Sequence, residues 1–532
     1  MATGGLDSDA PQQRRESRLH RRQFVLGPRP LLAGDGWVSE QIAPSLHLSR
    51  CGDLPATSVT DARGVPWRLL GTALQSDPEA AEPREQLALH AAGSPLDAYA
   101  SWCGRWILIG DAEVHLDAGG LIGCYYRTID DGGRAELWAS SSPAILASLG
   151  GGRGRLEQAP KLHPGKGMEW YPLPRSGFDG VDKLLPTQIL RLSANVHPRV
   201  MPRPPLVDVA GTESYSDLVA ALQRNLTTAL RRLAEGEEAV WLPLTSGLDS
   251  RLVLAAASYV ELPLKTFTQT YPLMSRADRS LPPLLAKEAG YEHRQLSPAR
   301  GSRSRRRLFD AHTGRHCADG DRWFFAHGQW EMIPAPAMIL RGGVFELGRC
   351  YFHRKFPDRR TEDLLGLLAA GFHFDEFHPS SRAHHEGIAE WVEWVARTPR
   401  RGLDWRDRLY LEQRIAGWVS TIEQALDLTS YNRVYLANSH EYLSTMLAIP
   451  EARRCRGQHH LDLIQRMAPE LLRFPFNPPD DSLRLSRKLR DEWRELAARP
   501  QKRQYVAYVA TRGAGHARTG FAKLRRGLRS AR

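Results

Sequence analysis

The stretch that most constrains the fold is residues 239–257, where an apolar run passes through small polar residues into a run of helix formers. The apolar run is 239–243, the polar residues are 245–247, and neither Gly nor Pro occurs from 248 to 257. This pattern predicts a strand, a tight turn and a helix in direct succession. The free backbone N–H groups of such a turn and the positive end of the helix point toward one place. The sequence therefore predicts an anion site that holds a phosphate without a Lys.

The side chains of this turn suit a nucleotide phosphate. Ser246 and Ser250 add hydroxyl donors, and Gly247 permits a close approach of the backbone. Asp249 offers a carboxylate to a magnesium ion carried by the phosphates. No Lys follows the Gly, so the segment is not a Walker loop. A second interpretation stays open, namely an ordinary capped helix in which Asp249 and Ser250 only satisfy backbone N–H groups.

The chain of 532 residues exceeds what one hydrophobic core usually supports, so two or more domains are expected. Its 42% hydrophobic and 25% charged residues are typical of a soluble globular protein, and no uninterrupted apolar stretch is long enough to span a bilayer. The pair Arg21-Arg22 resembles a twin-arginine export signal, but Pro28 and Pro30 interrupt the apolar segment that should follow. Residues 1–22 are therefore predicted to be a disordered basic arm.

Cysteine usage and charge limit the compartment and the partners. The six cysteines are scattered without a close CxxC pair, which favours the reducing cytoplasm and buried thiols over a disulfide framework. Most of the net charge of +12 belongs to residues 501–532, which hold nine Lys and Arg and no acid. Only three aromatic residues accompany these charges, too few for a base-stacking surface, so nucleic acid is not expected as a partner. The segment is predicted to be a solvated basic tail.

Residues 24–149 are predicted to be β-rich, because short apolar runs alternate with Gly and Asp turns. Asp-Gly-Gly at 131–133 is a strong hairpin signal. A Gly-rich break at 149–154 and a Pro-rich passage up to 205 follow. Within that passage, residues 180–192 are predicted to supply a final edge strand and a linker.

Beyond the turn, strand-like runs at 264–270, 293–296 and 338–341 alternate with predicted helices. Such alternation indicates an α/β domain with a parallel sheet and with its ligands at the carboxyl ends of the strands. The last of these runs breaks at glycines and then gives way to an acid, as shown by Gly342 and Glu346.

Residues 246–250 read Ser-Gly-Leu-Asp-Ser and resemble the pyrophosphate loop of asparagine synthetases, usually written Ser-Gly-Gly-x-Asp-Ser. Residues 96–149 resemble the second half of the glutamine-amidotransferase domain of the same enzymes, through Cys103, Gly104, Asp117, Gly120, 123–126 and 139–141. The glycines and acid of 342–346 resemble the family's Ser-Gly-Glu-Gly-x-Asp-Glu segment. The chain thus resembles the asparagine synthetase superfamily, which includes β-lactam synthetases and lasso-peptide cyclases, from about residue 96 to residue 478.

The resemblance implies an α+β N-terminal amidotransferase-like β-sandwich domain, followed by an α/β parallel-sheet domain of the ATP-pyrophosphatase, adenine nucleotide α-hydrolase-like type. The implied boundaries are 1–22 for the arm, 23–205 for the degenerate amidotransferase-like domain, 206–500 for the ATP-binding synthetase domain and 501–532 for the tail. The family's glutaminase uses a Cys at position two, where this chain has Ala2. The first domain is therefore expected to be structural.

The resemblance also implies a site. It assigns ATP to Leu244, Thr245, Ser246, Gly247, Asp249, Ser250, Phe267, Thr268 and Gly342. It assigns Mg²⁺ to Asp249 and Glu346, with Glu346 as the catalytic residue, while Phe345 stands where the family's metal-binding Asp would be. The alternative that Glu346 only pairs with Arg349 stays open. Active members carry a Lys near the end of this region, but no Lys occurs between residues 473 and 488.

The implied function is that of a ligase that adenylates a carboxylate with ATP, releases pyrophosphate and makes an amide bond as an amine displaces AMP. The expected substrates are small-molecule or peptide carboxylates and amines. A second copy of the chain or a biosynthetic partner protein is the expected protein partner. The missing Cys, Asp and Lys support a competing hypothesis, a catalytically degenerate ATP-binding scaffold that serves a partner enzyme.

Overall fold

Two antiparallel sheets come first in the chain and a parallel sheet with packed helices follows, so the fold is a mixed α+β fold. The computed structural model describes residues 19–91, 95–149, 168, 170–192, 199–204, 213–270, 274–297, 302–317, 324, 326, 328–372, 379–399 and 403–478. The order of a β-rich part before a parallel sheet agrees with the order predicted from the sequence.

The strands alternate with turns in the first part of the chain and with helices in the second. The described strands are β1 (Phe24–Gly27), β2 (Trp37–Ala43), β3 (Leu46–Cys51), β4 (Ala56–Thr60), β5 (Pro66–Gln75), β6 (Trp102–Gly110), β7 (Glu113–Leu116), β8 (Tyr125–Asp131), β9 (Arg134–Ser140), β10 (Asp182–Lys183), β11 (Gln188–Arg191), β12 (Arg199–Pro202), β13 (Ala239–Pro243), β14 (Leu264–Gln269), β15 (Glu292–Leu296), β16 (Ala337–Arg341) and β17 (Asn432–Tyr435).

Most of the helical residues lie in the second part of the chain. The described α-helices are α1 (Pro83–Leu89), α2 (Leu96–Tyr99), α3 (Pro143–Ser148), α4 (Tyr215–Ala234), α5 (Leu248–Tyr259), α6 (Arg276–Glu288), α7 (Arg303–Thr313), α8 (Leu364–Phe372), α9 (Pro379–Arg397), α10 (Trp405–Leu409), α11 (Ser420–Leu426), α12 (His440–Ala448), α13 (Glu451–Arg454) and α14 (Gln458–Met467). Two 3-10 helices cover Phe345–Arg349 and Pro469–Arg473, and a π-helix, Tyr410–Val419, joins α10 to α11. None of the described helices is long and apolar enough to cross a membrane.

The first antiparallel sheet has the strand order β10-β8-β9-β1-β3-β2. The hairpin predicted at 131–133 is confirmed. Asp131 pairs with Arg134 across the turn, and both Gly132 and Gly133 have positive φ, which a tight two-residue hairpin turn favours.

The second antiparallel sheet has the order β12-β11-β7-β6-β5-β4. The two sheets pack face to face. One buried apolar cluster contains Phe24 and Leu48 of the first sheet together with Leu70 and Ile107 of the second. The final edge strand predicted within 180–192 is wrong in part. β10 does lie at an edge, but β11 pairs with both β7 and β12 and lies inside its sheet. The edge strand of this sheet is β12, which lies within the Pro-rich passage that ends at residue 205.

The third sheet has the order β15-β14-β13-β16-β17, and every neighbouring pair in it is parallel. Its strands confirm those predicted at 264–270, 293–296 and 338–341. β14 lies on one side of β13, whereas β16, reached later in the chain, lies on the other side. The strand order therefore reverses at β13, and the carboxyl ends of β13 and β16 form the switch point where such sheets bind ligands.

Buried charges join the antiparallel part to the parallel part. Arg105 of β6 donates to both carboxylate oxygens of Asp427, at 2.6 and 2.8 Å. Gln23 donates to the same carboxylate at 2.9 Å, and Arg433 of β17 also pairs with it. Burial alone would raise the pKa of Asp427. The two guanidinium groups lower this pKa by more than burial raises it, so the net shift is downward. The carboxylate therefore stays ionised and is shared by both parts of the fold.

The end of the predicted N-terminal arm is ordered. Residues 19–22 form a turn in which Arg21 pairs with Asp53 and Arg22 donates to Asn432. The partners of these residues are distant in sequence, and the charge and composition of the arm do not indicate such contacts. Residues 1–18 of the predicted arm and the whole predicted tail, 501–532, lie outside the described residues.

Candidate functional site

The predicted turn and the predicted second acid meet at the carboxyl ends of β13 and β16. Residues 244–247 join β13 to α5, which confirms the strand, turn and helix predicted for 239–257. Residues 342–344 join β16 to the 3-10 helix Phe345–Arg349. A Cβ atom added to Gly342 would lie 3.5 Å from the backbone carbonyl carbon of Asp249, so the second connection packs against the first turn of α5.

The turn is tied to the first turn of α5 by its own hydroxyl groups. The N–H of Thr245 donates to the hydroxyl of Ser250 at 3.1 Å, and the hydroxyl of Thr245 accepts from the N–H of Gly247 at 3.1 Å. Gly247 is the N-cap residue of α5, and no side-chain hydrogen bond caps it. The capping interpretation therefore holds only in part, because Ser250 satisfies an N–H of the turn, whereas Asp249 faces another partner.

Ser246 is held by a carboxylate from the next helix. Its N–H and its hydroxyl both lie within donating distance of Asp278 Oδ1, at 2.9 and 2.7 Å, and Asn477 Oδ1 lies 3.2 Å from the same hydroxyl. Asp278 lies in the first turn of α6, whose N-cap is Ser275. The donors that the sequence assigned to a phosphate are thus already satisfied at Ser246. The other oxygen of Asp278 accepts from the hydroxyl of Ser275 at 3.0 Å, so this carboxylate serves both the helix start and the turn.

Arg251 fixes the segment 471–477 against the turn. Its guanidinium donates, at 2.6 to 3.2 Å, to the backbone carbonyl oxygens of Ser246, Leu471, Phe474 and Pro475. The side chain is buried, and burial lowers its pKa to about 10. A guanidinium presents several donors in a rigid plane, so one side chain can satisfy this many carbonyl groups. The turn is therefore part of a rigid structure that includes the C-terminal end of the described chain.

The two predicted metal ligands lie beside one guanidinium nitrogen. Arg349 Nη2 is 2.7 Å from Asp249 Oδ2 and 3.5 Å from Glu346 Oε1. The pairing of Glu346 with Arg349, left open by the sequence, is confirmed as a contact. The hydroxyl of Tyr410 donates to the other oxygen of Glu346 at 2.7 Å. Asp249 and Glu346 are therefore brought together, but with a cation of the protein between them.

One oxygen of this acidic pair is still available. Asp249 Oδ1 is buried, has no hydrogen-bond partner in the described part of the chain, and lies 3.4 Å from His460 Nε2. Burial lowers the pKa of His460 well below its usual value, so this ring is neutral near pH 7. Burial also raises the pKa of Asp249, and Arg349 opposes that shift. Oxygen ligands are those that Mg²⁺ uses, so Asp249 Oδ1 and Glu346 fit a hard cation.

Phe345 is a core residue. Its ring is fully buried and packs against the rings of Tyr442 and His460, with centroids 5.8 Å away in both cases. The place where the family resemblance puts a metal-binding Asp therefore holds an apolar side chain that the surrounding core encloses. Any cation at this site has only Asp249 and Glu346 as carboxylates from the two predicted segments.

Phe267 and Thr268, which the resemblance assigns to ATP, lie inside the parallel sheet. The ring of Phe267 is fully buried against Trp241 and Trp330, and Thr268 is 2% exposed. The Thr268 hydroxyl donates to the carbonyl of Leu244 at 2.8 Å, and the N–H of Leu244 donates to the carbonyl of Phe267 at 2.8 Å. These residues support the turn from within the sheet, because side chains of a central strand face the two covered sides.

Comparisons with known proteins leave the family open. No protein-family model matches the sequence, and no curated protein matches it. Among solved structures, that of the allosteric regulatory enzyme of purine biosynthesis aligns with 57% of this chain and 76% of its own, at 10% identity and a TM-score of 0.20. A TM-score this low carries no argument about fold or function.

Proposed function

We propose that the chain is an asparagine-synthetase-like, ATP-dependent ligase that adenylates a carboxylate and transfers the acyl group to an amine. One observation carries the proposal: the turn 244–247, the start of α5, Asp249 and Glu346 meet at the switch point of a parallel sheet. An oligophosphate with a divalent cation is the ligand that suits both an uncapped helix N-terminus and a pair of carboxylates.

Each group of the site has a role in this proposal. The first N–H groups of α5 and the guanidinium of Arg349 bind the pyrophosphate part of ATP. Asp249 Oδ1 and Glu346 hold Mg²⁺, which would neutralise charge on the leaving pyrophosphate. Arg251 and Asp278 hold the turn in one conformation, so the phosphates meet donors that are already in position.

The proposed reaction has two steps. A carboxylate oxygen of the substrate bonds to the α-phosphorus of ATP, while the bond from that phosphorus to the bridging oxygen breaks and pyrophosphate leaves. The nitrogen of the amine then bonds to the acyl carbon, AMP leaves with the electrons of the broken C–O bond, and the amine gives up a proton. Positioning and charge neutralisation account for the catalysis, because neither step needs a covalent bond to the protein.

The antiparallel part has a structural role in this proposal, as an amidotransferase-like β-sandwich domain without glutaminase activity. Residue 2 is Ala, at the position to which the resemblance assigns the glutaminase Cys. Cys103 and Cys124 lie in this part, and burial raises the pKa of each thiol to about 12. Neither thiol is ionised near neutral pH, so neither supports nucleophilic attack on glutamine.

A second function, an ATP-binding scaffold or a partner protein without catalysis, is favoured by one specific observation. Groups of the protein already satisfy donors and acceptors that a nucleotide would use: Arg349 pairs with Asp249, and Asp278 accepts from Ser246. A site that is satisfied by its own side chains is stable without ligand, as a degenerate member requires. The two functions differ in whether pyrophosphate is exchanged.

ATP–pyrophosphate exchange across a panel of carboxylic acids separates them. The ligase exchanges labelled pyrophosphate into ATP with at least one acid, and Asp249→Ala abolishes the exchange. The matched control is Glu237→Ala, which removes an exposed carboxylate just before β13 and should leave the exchange unchanged. ATP binding without exchange for any acid supports the scaffold, and absence of ATP binding by the folded protein rejects the ligase and the ATP-binding scaffold and leaves the partner protein.

A further inference from the structure

We propose a second site in this protein, a zinc centre formed by Cys350, His353 and Cys455. One ligand atom from each of these side chains lies within 4.8 Å of the other two. Cys350 and His353 are buried, and Cys455 is half-buried. Thiolate and imidazole are the ligands that structural zinc prefers, and a tetrahedral centre needs them at this mutual closeness.

The backbone brings the first two ligands together in one turn. Cys350 follows the 3-10 helix Phe345–Arg349 and has a φ of 55°, a left-handed conformation that a residue with a side chain rarely adopts. The N–H of His353 donates to the carbonyl of Cys350 at 3.1 Å, which closes the turn. Strain of this kind persists where the surroundings require it, and holding two ligands toward one point is such a requirement.

The third ligand comes from a distant part of the sequence. Cys455 follows α13, and its N–H donates to the carbonyl of Glu451 at 2.8 Å. The thiol of Cys350 lies 3.9 Å from the same carbonyl oxygen. The two thiols therefore approach each other at the end of a short helix, although no close Cys pair exists in the sequence.

The ring of His353 is oriented by carboxylates on both sides. Nε2 lies 3.0 Å from Asp407 Oδ1, and Nδ1 lies 2.7 Å from Glu451 Oε1. Asp407 is 3% exposed, and Arg454 donates to its other oxygen at 2.8 Å, so this carboxylate stays in place. A carboxylate on the far nitrogen of a zinc-bound His is the usual supporting contact.

Of the two carboxylates, Glu451 is the one that the zinc ion would displace from His353. Its side chain is 45% exposed and can turn toward solvent. We assign Nδ1 of His353 to the zinc for this reason, with water or the displaced carboxylate in the fourth position. Two thiolates cancel the charge of the zinc ion, so with water as the fourth ligand the buried centre has no net charge to desolvate.

The centre is independent of the proposed ligase activity, but it lies next to that site. Cys350 directly follows Arg349, which contacts Asp249 and Glu346. A metal on Cys350 and His353 would fix the end of the 3-10 helix that carries two of these groups. Metal binding itself is measured without ATP, so failure of one proposal leaves the other standing.

The test is the metal content of the full chain, purified under reducing conditions, loaded with Zn²⁺ and dialysed. We expect about one zinc per chain. Cys350→Ser and Cys455→Ser should retain less than about a tenth of it, and Asp407→Asn should weaken zinc binding about 10- to 100-fold. Cys51→Ser, which changes a buried thiol of the first sheet, is the matched control and should retain the metal.

A second measurement avoids variants that fail to fold. Wild-type protein loaded with Co²⁺ should show the ligand-field bands of a tetrahedral ion and a thiolate-to-cobalt charge-transfer band. Zinc bound well below one equivalent by the folded wild type, or a cobalt spectrum without thiolate bands, would overturn the proposal. So would a Cys350–Cys455 disulfide found by mass spectrometry in the protein as isolated, since both thiols would then be consumed.

Discussion

Arg349 of the 3-10 helix and Asp249 in the first turn of α5 form an ion pair near the carboxyl ends of β16 and β13, with 2.7 Å between guanidinium and carboxylate. The pair leaves Asp249 Oδ1 without a hydrogen-bond partner in the described part of the chain. It also places a fixed positive charge beside the start of α5. The same Arg therefore stabilises the ligand-free protein and supplies the charge that the proposed pyrophosphate would need.

Replacing Arg349 with Met removes the charge and keeps most of the side-chain volume. We expect the free energy of unfolding to fall by about 1–3 kcal/mol at neutral pH, because a poorly hydrated carboxylate loses its partner. Burial already raises the pKa of Asp249, and the substitution raises it further. The loss should therefore shrink as the pH falls and the carboxyl is protonated. Urea denaturation at several pH values measures both effects.

The control for this prediction is the double variant Arg349→Met, Asp249→Asn. It removes the Asp249 charge that the single variant leaves unpaired, and only the longer contact of Arg349 with Glu346 stays lost, so it should recover part of the lost stability. A single variant whose loss is the same at every pH, or a double variant no more stable than the single one, would contradict the assigned pairing.

Asp278 is predicted to hold the turn through Ser246. Asp278→Ala leaves the N–H of Ser246 without its acceptor and leaves the hydroxyl only Asn477 Oδ1, at 3.2 Å, so we expect a loss of about 1–3 kcal/mol in the free energy of unfolding. Asp179→Ala, at an exposed position, should cost much less. Equal losses for the two variants in urea denaturation would show that the turn does not depend on this carboxylate.

Arg251 is predicted to anchor the segment 471–477. Arg251→Lys keeps a positive charge but cannot reach four carbonyl groups, and we expect a loss of about 1.5–3 kcal/mol. Hydrogen–deuterium exchange read by mass spectrometry should be faster in 471–477, while β6 keeps its protection. Unchanged exchange in 471–477 would mean that other contacts hold this segment.

Lys183 provides a pH-dependent test of the join between the two parts. Its ammonium donates to the carbonyl of Ala416 at 2.6 Å and to the hydroxyl of Ser420 at 2.9 Å, and burial lowers its pKa to about 7. Between about pH 7 and about pH 10.5 the unfolded chain binds a proton that the folded chain lacks, so stability rises with pH in this window.

Lys183→Met should remove that rise. The difference in unfolding free energy between wild type and variant should change across the window from pH 7 upward and be constant below it. Lys287→Met, at an exposed position of α6, should run parallel to the wild type at all pH values. Parallel curves for Lys183→Met and wild type would show that the buried amine titrates at its ordinary pKa in the folded protein.

The local part of the site was predictable from the sequence. β13 and α5 follow from an apolar run, small polar residues and uninterrupted helix formers, and each of these signals lies within a few residues of the element it predicts. The parallel sheet follows from the alternation of strands and helices. The placement of Gly342 beside Asp249 follows from that topology, because the carboxyl ends of neighbouring parallel strands share an edge.

The contacts that decide the chemistry were not predictable. No residue near Arg251 in the sequence indicates that the segment 471–477 returns to it and makes it a buried anchor. The pairing of Arg349 with Asp249 and the approach of Cys350 to Cys455 both join distant segments. Such contacts depend on how elements pack, and a single sequence carries no local signal for them.

The most direct test of the central claim is isothermal titration of the full chain with α,β-methylene-ATP in the presence of Mg²⁺. We predict saturable binding at one site. The affinity should fall at least about tenfold in Asp249→Ala, because Asp249 is one of the two carboxylates proposed to bind the cation directly. Glu237→Ala should bind as the wild type does. Absence of binding by the folded wild type, or equal affinity for wild type and Asp249→Ala, would contradict a nucleotide site at this turn.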